Sequence, residues 1–187
     1  MTWTVWLILA IAAVLIFAIA GLYNSLITGK NRVEEALSDM DVQLKRRYDL
    51  IPNLVETVKG YAAHEEGTLA KVIAARNSAM EVPSTEPSKK IAVENQLSST
   101  LRSIFALAEN YPDLKANQNF LELQRELTDT EDKIMASRRF YNGNVRDFNT
   151  KLQVFPTNLI NKMLKFTAYS FYEIGDAVQK ENITVKF

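Results

Sequence analysis

The chain has 187 residues, about one domain's worth, and its 22 Lys plus Arg balance its 22 Asp plus Glu. A formal net charge of zero argues against a protein whose main task is nucleic-acid binding. Because cysteine is absent, disulfides, thiol catalysis, iron–sulfur clusters and Cys-containing zinc sites are excluded. With a single histidine, one chain cannot build a His-rich metal site.

The N-terminal segment predicts a membrane anchor. Residues 3–23 are apolar, and at ~1.5 Å per residue such a helix crosses a hydrocarbon core of ~30 Å. Trp3 and Trp6 stand at one end and Tyr23 at the other, as expected for the aromatic belts of a span. A cleavable signal peptide is the alternative, because Ala18-Ile19-Ala20 resembles a cleavage site. The run lacks a positive N-terminal region, however, and exceeds the ~7–15 residues of a signal core.

Charge placement predicts the orientation of this anchor. No charged side chain occurs in residues 1–29, and Lys30 and Arg32 follow directly. The positive-inside rule then places the N-terminus outside and residues 30–187 in the cytoplasm. We therefore expect two parts, a transmembrane anchor at 1–29 and a helical-bundle domain at 30–187.

Beyond the anchor, apolar residues recur at three- and four-residue steps, which is typical of α-helix. The first run starts at Val33 and meets no firm stop before the loop at 82–87. Pro52 cannot donate to a helix ladder, so the pattern predicts either a kink or a break there. Gly60 and Gly67 weaken this helix further, by ~1 kcal/mol each relative to Ala.

Three more helices are predicted, at about 88–110, 116–155 and 157–166, followed by an irregular aromatic tail with a short strand at 183–186. The third helix of the chain carries a heptad-like stripe: Phe120, Leu123, Leu127, Thr130, Ile134, Ser137, Tyr141, Val145, Phe148, Leu152 and Phe155. The predicted fold is all-α, with an N-terminal transmembrane helix followed by an elongated antiparallel bundle of long helices.

Three polar residues, Thr130, Ser137 and Tyr141, interrupt this coiled-coil-like stripe. A polar group in such a seam is favoured where it fixes register or partner number, so we interpret them as register-setting, with a ligand pocket as the alternative. Gly21 and Ser25 form a weak small-xxx-small pair in the span, which permits helix dimerisation.

Motifs for catalysis or cofactors are not found. Tyr61 precedes the only histidine, His64, by three residues, so the Glu-x-x-His motif of di-iron bundles cannot be written. The phosphate-binding motifs G-x-x-x-x-G-K-[ST] and G-x-G-x-x-G do not occur in the sequence. A serine nucleophile would lack an oriented base. We predict no catalytic residue, no metal and no cofactor.

Two basic runs, Lys45-Arg46-Arg47 and Arg138-Arg139, could contact anionic lipid or nucleic acid. Lys45 lies ~33 Å beyond the span along a straight helix, whereas headgroup attraction fades within ~8 Å. We therefore expect these charges to pair across helices, and the acidic candidates are Asp41, Asp49, Glu131 and Asp132.

The segment at 41–55, DVQLKRRYDLIPNLV, with AENYPDLKAN at 108–117 and RFYN at 139–142, resembles the bacterial LemA family over essentially the whole chain. The resemblance implies a single-pass protein of the bacterial inner (cell) membrane with a cytoplasmic all-helical domain. It supplies no catalytic residues. Some members of this family are associated with shaping internal membranes, and family genes often neighbour a membrane zinc metallopeptidase. The 41–55 segment is a candidate interaction surface through seven polar residues: Asp41, Gln43, Lys45, Arg46, Arg47, Asp49 and Asn53.

Three functional hypotheses follow. The first is a non-enzymatic, membrane-anchored scaffold that forms homo-oligomers through its long helices, contacts the bilayer through residues 3–23 and shapes or organises the membrane. The second is an adaptor that uses the 41–55 surface to bind another membrane protein such as an envelope metallopeptidase. The third is an enzyme with an unrecognised carboxylate site at Glu34, Glu35 or Asp39. None of the three involves nucleic acid.

Overall fold

A computed structural model describes residues 2–173 and confirms the predicted all-α fold. No strand occurs in this described part, and the strand predicted at 183–186 lies outside it. The described helices are α1 (Thr2–Lys59), a 3₁₀ turn (Ala63–Glu65), α2 (Glu66–Glu81), α3 (Pro87–Ala108), α4 (Pro112–Lys115), α5 (Gln118–Gln153) and α6 (Thr157–Leu164).

Helix α1 continues through Pro52 without a break. Proline has no N–H to donate to the carbonyl four residues earlier, which belongs to Tyr48. That carbonyl instead accepts a hydrogen bond of 2.7 Å from Arg76 Nε on α2. A side chain from a neighbouring helix therefore replaces the backbone donor that Pro52 lacks.

The expectation that this first helical run meets no firm stop before the loop at 82–87 is wrong. Helix α1 ends at Lys59, and the chain turns through Gly60 before helix resumes at Glu66. The amides of Tyr61 and Ala62 both bond to the carbonyl of Val58, and Ala62 is buried in this turn. Helix α1 therefore ends in this tight turn, and the low helix propensity of Gly60 favours an end at this position.

The other predicted helices agree closely with α3, α5 and α6. Helix α3 begins at Pro87, which occupies the first turn, where a missing N–H costs no hydrogen bond. Helix α4 is an additional single turn that begins at Pro112 and buries Leu114.

The chain divides into two compact units. The first unit comprises residues 2–39 and 137–171. The second unit comprises residues 40–136 together with 172 and 173. The apolar anchor segment and α6 both belong to the first unit, whereas α2, α3 and α4 belong to the second.

The core of the first unit forms where α1 and α5 run antiparallel. Phe148 on α5 is buried against Gly29 on α1, and a β-carbon at residue 29 would lie 3.1 Å from the Phe148 ring. The rings of Phe166 and Tyr169 pack edge-on against Phe148, with centroids 6.3 and 5.6 Å away. The irregular segment after α6 therefore covers this core with aromatic side chains, as predicted for the tail.

Most of the predicted α5 stripe is buried, but Phe155 is exposed. Its inclusion in the stripe is therefore wrong. Helix α5 ends at Gln153, and helical register does not carry beyond the end of a helix. Pro156 also disfavours helical backbone at the residue before it.

In the second unit, α1, α2, α3, α4 and the first half of α5 contribute apolar side chains to one core. Its fully buried members include Met40, Ile51, Leu54, Val58, Val72, Leu97, Ile104, Leu114 and Phe120. Nearly all of the apolar positions predicted for the first run and for α3 are buried here, which follows from their three- and four-residue spacing.

Candidate functional site

A buried ionic cluster lies in the second unit, and we call Arg47, Glu94, Ser98 and Glu131 the Arg47 network. Arg47 is only 2% exposed, and its Nη1 lies 3.0 Å from Glu131 Oε2 and 3.5 Å from Glu94 Oε2. Its Nη2 donates a 2.6 Å hydrogen bond to Ser98 Oγ, which in turn donates to the Glu131 carboxylate at 3.1 Å. One guanidinium therefore links α1 to α3 and α5.

Two more side chains, Tyr48 on α1 and Lys90 on α3, extend the network towards the end of α2. The Tyr48 hydroxyl donates to Glu94 Oε1, and Lys90 Nζ lies 3.7 Å from the same oxygen and 5.4 Å from the centre of the Tyr48 ring. Lys90 also donates to the carbonyls of Ala79 and Val82 at 2.7 and 2.9 Å. The buried lysine therefore binds the end of α2 and the network together.

Burial is the main cause of the shifted acidities in this cluster. It raises the pKa of the Glu94 carboxyl, against the opposing effects of the Tyr48 hydrogen bond and of Arg47. It lowers the pKa of Lys90, and it raises that of Tyr48, with Glu94 adding to the increase. Two cations and two carboxylates compensate one another here, so the arrangement is chemically suited to holding helices together.

An open cavity of about 220 Å³ adjoins the network between α3 and α5. Arg47, Ser98 and Glu131 form its polar side, and Leu101, Phe105 and Leu127 are among its apolar residues. The polar groups facing the cavity already bond to one another, so they are not presented as free catalytic groups. Among the described residues, no group of three His, Cys, Asp or Glu side chains could hold a metal ion.

The seven residues of the candidate 41–55 surface differ in burial and in their ion-pair partners. Arg47 is buried, so its side chain is not available to a partner at the surface, and its pairing with Glu131 is one that the sequence suggested. Lys45 pairs with Asp49 at 2.8 Å, but the two residues are four apart on α1, so this pair does not cross helices as predicted. Arg46 does pair across helices, with Glu126, which was not among the suggested partners.

The remaining three residues differ in exposure. The Asp41 carboxylate accepts a hydrogen bond from Ser84 Oγ. Gln43 is half-buried, and Asn53 is exposed at the edge of a cavity of about 370 Å³ between α1 and α5. Six of the seven residues are therefore at least partly accessible to a partner.

The three polar residues of the α5 stripe have different surroundings. Thr130 is buried and bonds to the Glu126 carbonyl of its own helix, and Ser137 is half-buried. Tyr141 is buried, and its hydroxyl donates to the Ser170 carbonyl at 3.1 Å. Tyr141 thus fixes the segment after α6 within one chain, and register-setting between chains stays a prediction.

Asn149 and Glu34 reinforce this attachment in the first unit. Asn149 exchanges two hydrogen bonds of 2.9 and 3.0 Å with the backbone of Tyr169. The Tyr169 hydroxyl donates to Glu34 Oε1 at 3.0 Å, and partial burial together with this contact raises the Tyr169 pKa to about 12. Glu34 therefore has a structural partner.

The sequence reasoning missed Tyr48, Lys90, Glu94 and Ser98. A usable signal existed, because residues 90, 94 and 98 are polar at four-residue steps in register with the buried apolar residues of α3. Polar groups that share the buried face of a helix require partners, which points to a second polar cluster on a facing helix.

At the N-terminus, residues 3–21 are exposed on all sides of α1. The most apolar 18 residues of this helix have a mean hydropathy of 2.9, and the helix is long and apolar enough to cross a membrane. Trp3 and Trp6 are exposed at its start, Tyr23 is partly exposed at its end, and Leu26 is the first buried residue. Packing against α5 thus begins where the predicted span ends.

The chain is similar to known proteins over most of its length. Protein LemA of Metamycoplasma hominis is 28% identical over 162 residues, which cover 86% of this chain and 73% of that protein. Magnetosome protein MamQ of Magnetospirillum gryphiswaldense and MamQ 1 of Paramagnetospirillum magneticum are each 19% identical, over 174 and 175 residues. These matches cover 80% and 81% of this chain, and the chain spans 64% of the length of each MamQ protein.

The family model for the LemA family matches residues 36–187. That range contains the Arg47 network, α2 to α6 and most of the residues on which the sequence resemblance rests. Together with the apolar N-terminal helix, it indicates a membrane-anchored protein, and the chain belongs to the LemA family.

Proposed function

We propose that this LemA family protein is a non-enzymatic, membrane-anchored scaffold that self-associates and thereby organises or shapes the membrane. The N-terminus lies outside and the helical domain lies in the cytoplasm, because Lys30 and Arg32 flank the inner end of the span. Two relatives carry the name magnetosome protein, and some members of the LemA family are associated with shaping internal membranes, which supports a membrane-organising role.

The buried apolar part of the α5 stripe does not serve as a surface for self-association. Most of its residues, such as Val145, Phe148 and Leu152, are buried within the chain and cannot contact a second copy. The function needs another surface of suitable chemistry, and one is present between α1 and α2 in the second unit.

A groove of about 480 Å³ between these helices is the observation that carries the proposal. The lining includes the buried side chains of Val55 and Leu69, whereas the half-buried Ile73 supplies accessible apolar surface. The exposed alanines Ala70 and Ala74 allow a second helix to approach closely. Apolar surface within reach of solvent on one side of a helical bundle is typical of a protein interface.

The rim of this groove suits pairing between identical chains. It carries both signs of charge, with Glu56 and Glu66 against Lys59. In a two-fold symmetric interface the same patch faces itself, so a patch must be self-complementary. Carboxylates of one copy can then face the lysine of the other.

The proposal of a non-enzymatic role is supported by the pairing of buried and half-buried charged side chains with one another. Glu94 and Glu131 both pair with Arg47, so these buried and half-buried charges compensate one another within the chain. Glu34, the first member of the third hypothesis, bonds to the Tyr169 hydroxyl.

The test is the size of the full-length protein in nanodiscs or detergent, measured by mass photometry. Ala74→Arg places a long charged side chain in the groove, and we expect it to reduce large particles to single chains. Ala92→Arg is the matched control, because Ala92 is also an exposed alanine of a helix but lies on α3. A single-chain mass for the unchanged protein, or equal particles for both variants, would contradict the proposal.

The second candidate function is an adaptor that binds another membrane protein. The observation in its favour is the cavity of about 370 Å³ beside exposed Asn53, which Leu50 and Leu123 also line. A photo-crosslinker attached at Asn53→Cys should capture one specific membrane protein, such as an envelope metallopeptidase, from native membranes. Asn95→Cys on α3 is the control, because Asn95 is equally exposed and lies away from this cavity. The same captured proteins at both positions would argue against the adaptor function.

A further inference from the structure

The residue Phe155, which lies between α5 and α6, and one side of α6 expose apolar side chains in the first unit. Phe155 is 77% exposed, Leu159 52% and Met163 83%. They are spaced four residues apart, so the two residues within α6 share one side of that helix. We call Phe155, Leu159 and Met163 the α6 face.

The α6 face is held in place by the core of the first unit. Thr157 is buried, and its hydroxyl bonds to the carbonyls of Lys151 and Val154 at the end of α5. Lys165 ends α6 in the left-handed conformation (φ 55°), and its amide bonds to the Asn161 carbonyl at 2.7 Å. Phe166 then packs on Phe148, so both ends of α6 are fixed.

The contacts between α1 and α5 give the level of this face relative to the span. Lys151 Nζ bonds to Ser25 Oγ at 3.2 Å, and Phe148 contacts Gly29. Because the two helices are antiparallel, each further residue of α5 lies ~1.5 Å closer to the span. The last residue of α5, Gln153, therefore lies ~3 Å beyond Ser25, and Phe155 follows two residues later, close to the inner end of the predicted span.

The positive charge of this region suits contact with an anionic bilayer surface. Lys151, Lys162 and Lys165 are its charged residues, and no Asp or Glu occurs between Asp147 and Glu173. A short segment with exposed apolar residues and several lysines is typical of helices that lie in the headgroup region of an anionic bilayer.

We propose that the α6 face lies in the interfacial layer of the same bilayer that residues 3–23 cross. Phe155, Leu159 and Met163 enter the boundary between headgroups and acyl chains, and Lys162 and Lys165 contact anionic headgroup phosphates. The chain then contacts the membrane at two places, a span and an interfacial helix that the core of one unit joins. This inference requires the span but does not require self-association.

The absence of native cysteine gives a direct test in the full-length protein. Met163→Cys carries an environment-sensitive fluorophore in nanodiscs of phosphatidylcholine and phosphatidylglycerol, and lipids with a quencher high on the acyl chain are then introduced. Asp147→Cys is the control, because Asp147 is exposed on α5 in the same unit but lies on the cytoplasmic side of Lys151.

We expect the label at residue 163 to shift its emission to the blue and to lose most of its intensity to the quencher, while the label at residue 147 keeps both. Leu159→Cys should behave like Met163→Cys, which guards against a local disturbance at one site. Equal and weak quenching at all three positions would overturn the inference. Disulfide cross-linking between two copies through residue 163 would also overturn it, because a second chain would then cover the face. Particle mass measured on the same samples tests self-association separately.

Discussion

Within each of the two units, a different kind of interaction holds the helices together. The second unit buries a guanidinium, an ammonium and a carboxylate between its helices, and each of these groups has several partners. The first unit joins α1 to α5 through the ring of Phe148, a glycine opposite it and aromatic residues from the segment after α6. Ionic networks specify which helices meet but tolerate no missing partner, whereas an aromatic core depends on shape. The predictions below test this difference.

The largest effect is expected from Arg47→Met. It leaves the Glu94 and Glu131 carboxylates without their shared cation, and breaking such a buried pair lowers the free energy of unfolding by about 4 kcal/mol. The neighbouring Arg46→Met is the control, because its pair with Glu126 is exposed and contributes about 1 kcal/mol or less. Urea unfolding of the full-length protein in detergent, followed by circular dichroism, measures both. Equal losses for the two variants would show that the buried network is not the stronger link.

Phe148→Ala tests the aromatic core of the first unit. The substitution removes the ring that contacts Gly29, Phe166 and Tyr169, and we expect a loss of about 3 kcal/mol in the same unfolding measurement. Phe155→Ala should change the value by less than about 0.5 kcal/mol, because its ring is exposed and contributes little to the core. Similar losses would mean that Phe155 also packs in the protein.

The replacement of a backbone donor at Pro52 predicts an interaction between two distant residues. Arg76→Met leaves the Tyr48 carbonyl without its partner and should cost about 2 kcal/mol. Pro52→Ala restores the backbone N–H, so in that background the same substitution should cost about 1 kcal/mol less. A double-mutant cycle measures this difference, and strict additivity would contradict the explanation.

The smallest expected effect is a dependence of the free energy of unfolding on pH. Burial raises the pKa of Glu94 above its ordinary value of 4.5, so between these two values the folded protein binds more protons than the unfolded chain. Burial of a charged Glu94 does not lower the free energy of unfolding below pH 4.5, and it lowers this free energy by the full amount above the raised pKa. Stability should therefore fall as pH rises through that window.

Glu94→Gln removes this titration, so its melting temperature should fall less steeply than that of the wild type as pH rises from 4.5. Thermal scans in a series of buffers give the two slopes. Parallel slopes for the two proteins would show that Glu94 does not titrate in this range.

Hydrophobic periodicity was sufficient to predict the all-α fold, α3, α5 and α6, because residues such as Ile91, Leu97 and Leu101 are buried at the spacing of one helix face. It was not sufficient for the end of α1, since that end depends on the backbone hydrogen bonds of the turn at 60–62 and on the burial of Ala62. The continuity at Pro52 could not be predicted either, because its donor, Arg76, lies 28 residues from Tyr48.

The candidate site was less predictable than the fold. Arg47 was included in the candidate interaction surface because it is a polar residue of the 41–55 segment, yet of the three adjacent cations only Arg47 is buried. A run of three cations in a helix spreads over most of its circumference, so sequence adjacency does not determine which one is buried. The four-residue spacing of polar residues on α3 was the better guide to the network.

The position of Lys90 has a consequence for the order of folding. Its ammonium group binds the carbonyls of Ala79 and Val82, so the first turn of α3 completes the C-terminal end of α2. The separations are only 11 and 8 residues, and closing so short a loop costs little entropy. We therefore expect the α2–α3 hairpin to form early, as a local nucleus of low contact order onto which the longer helices condense.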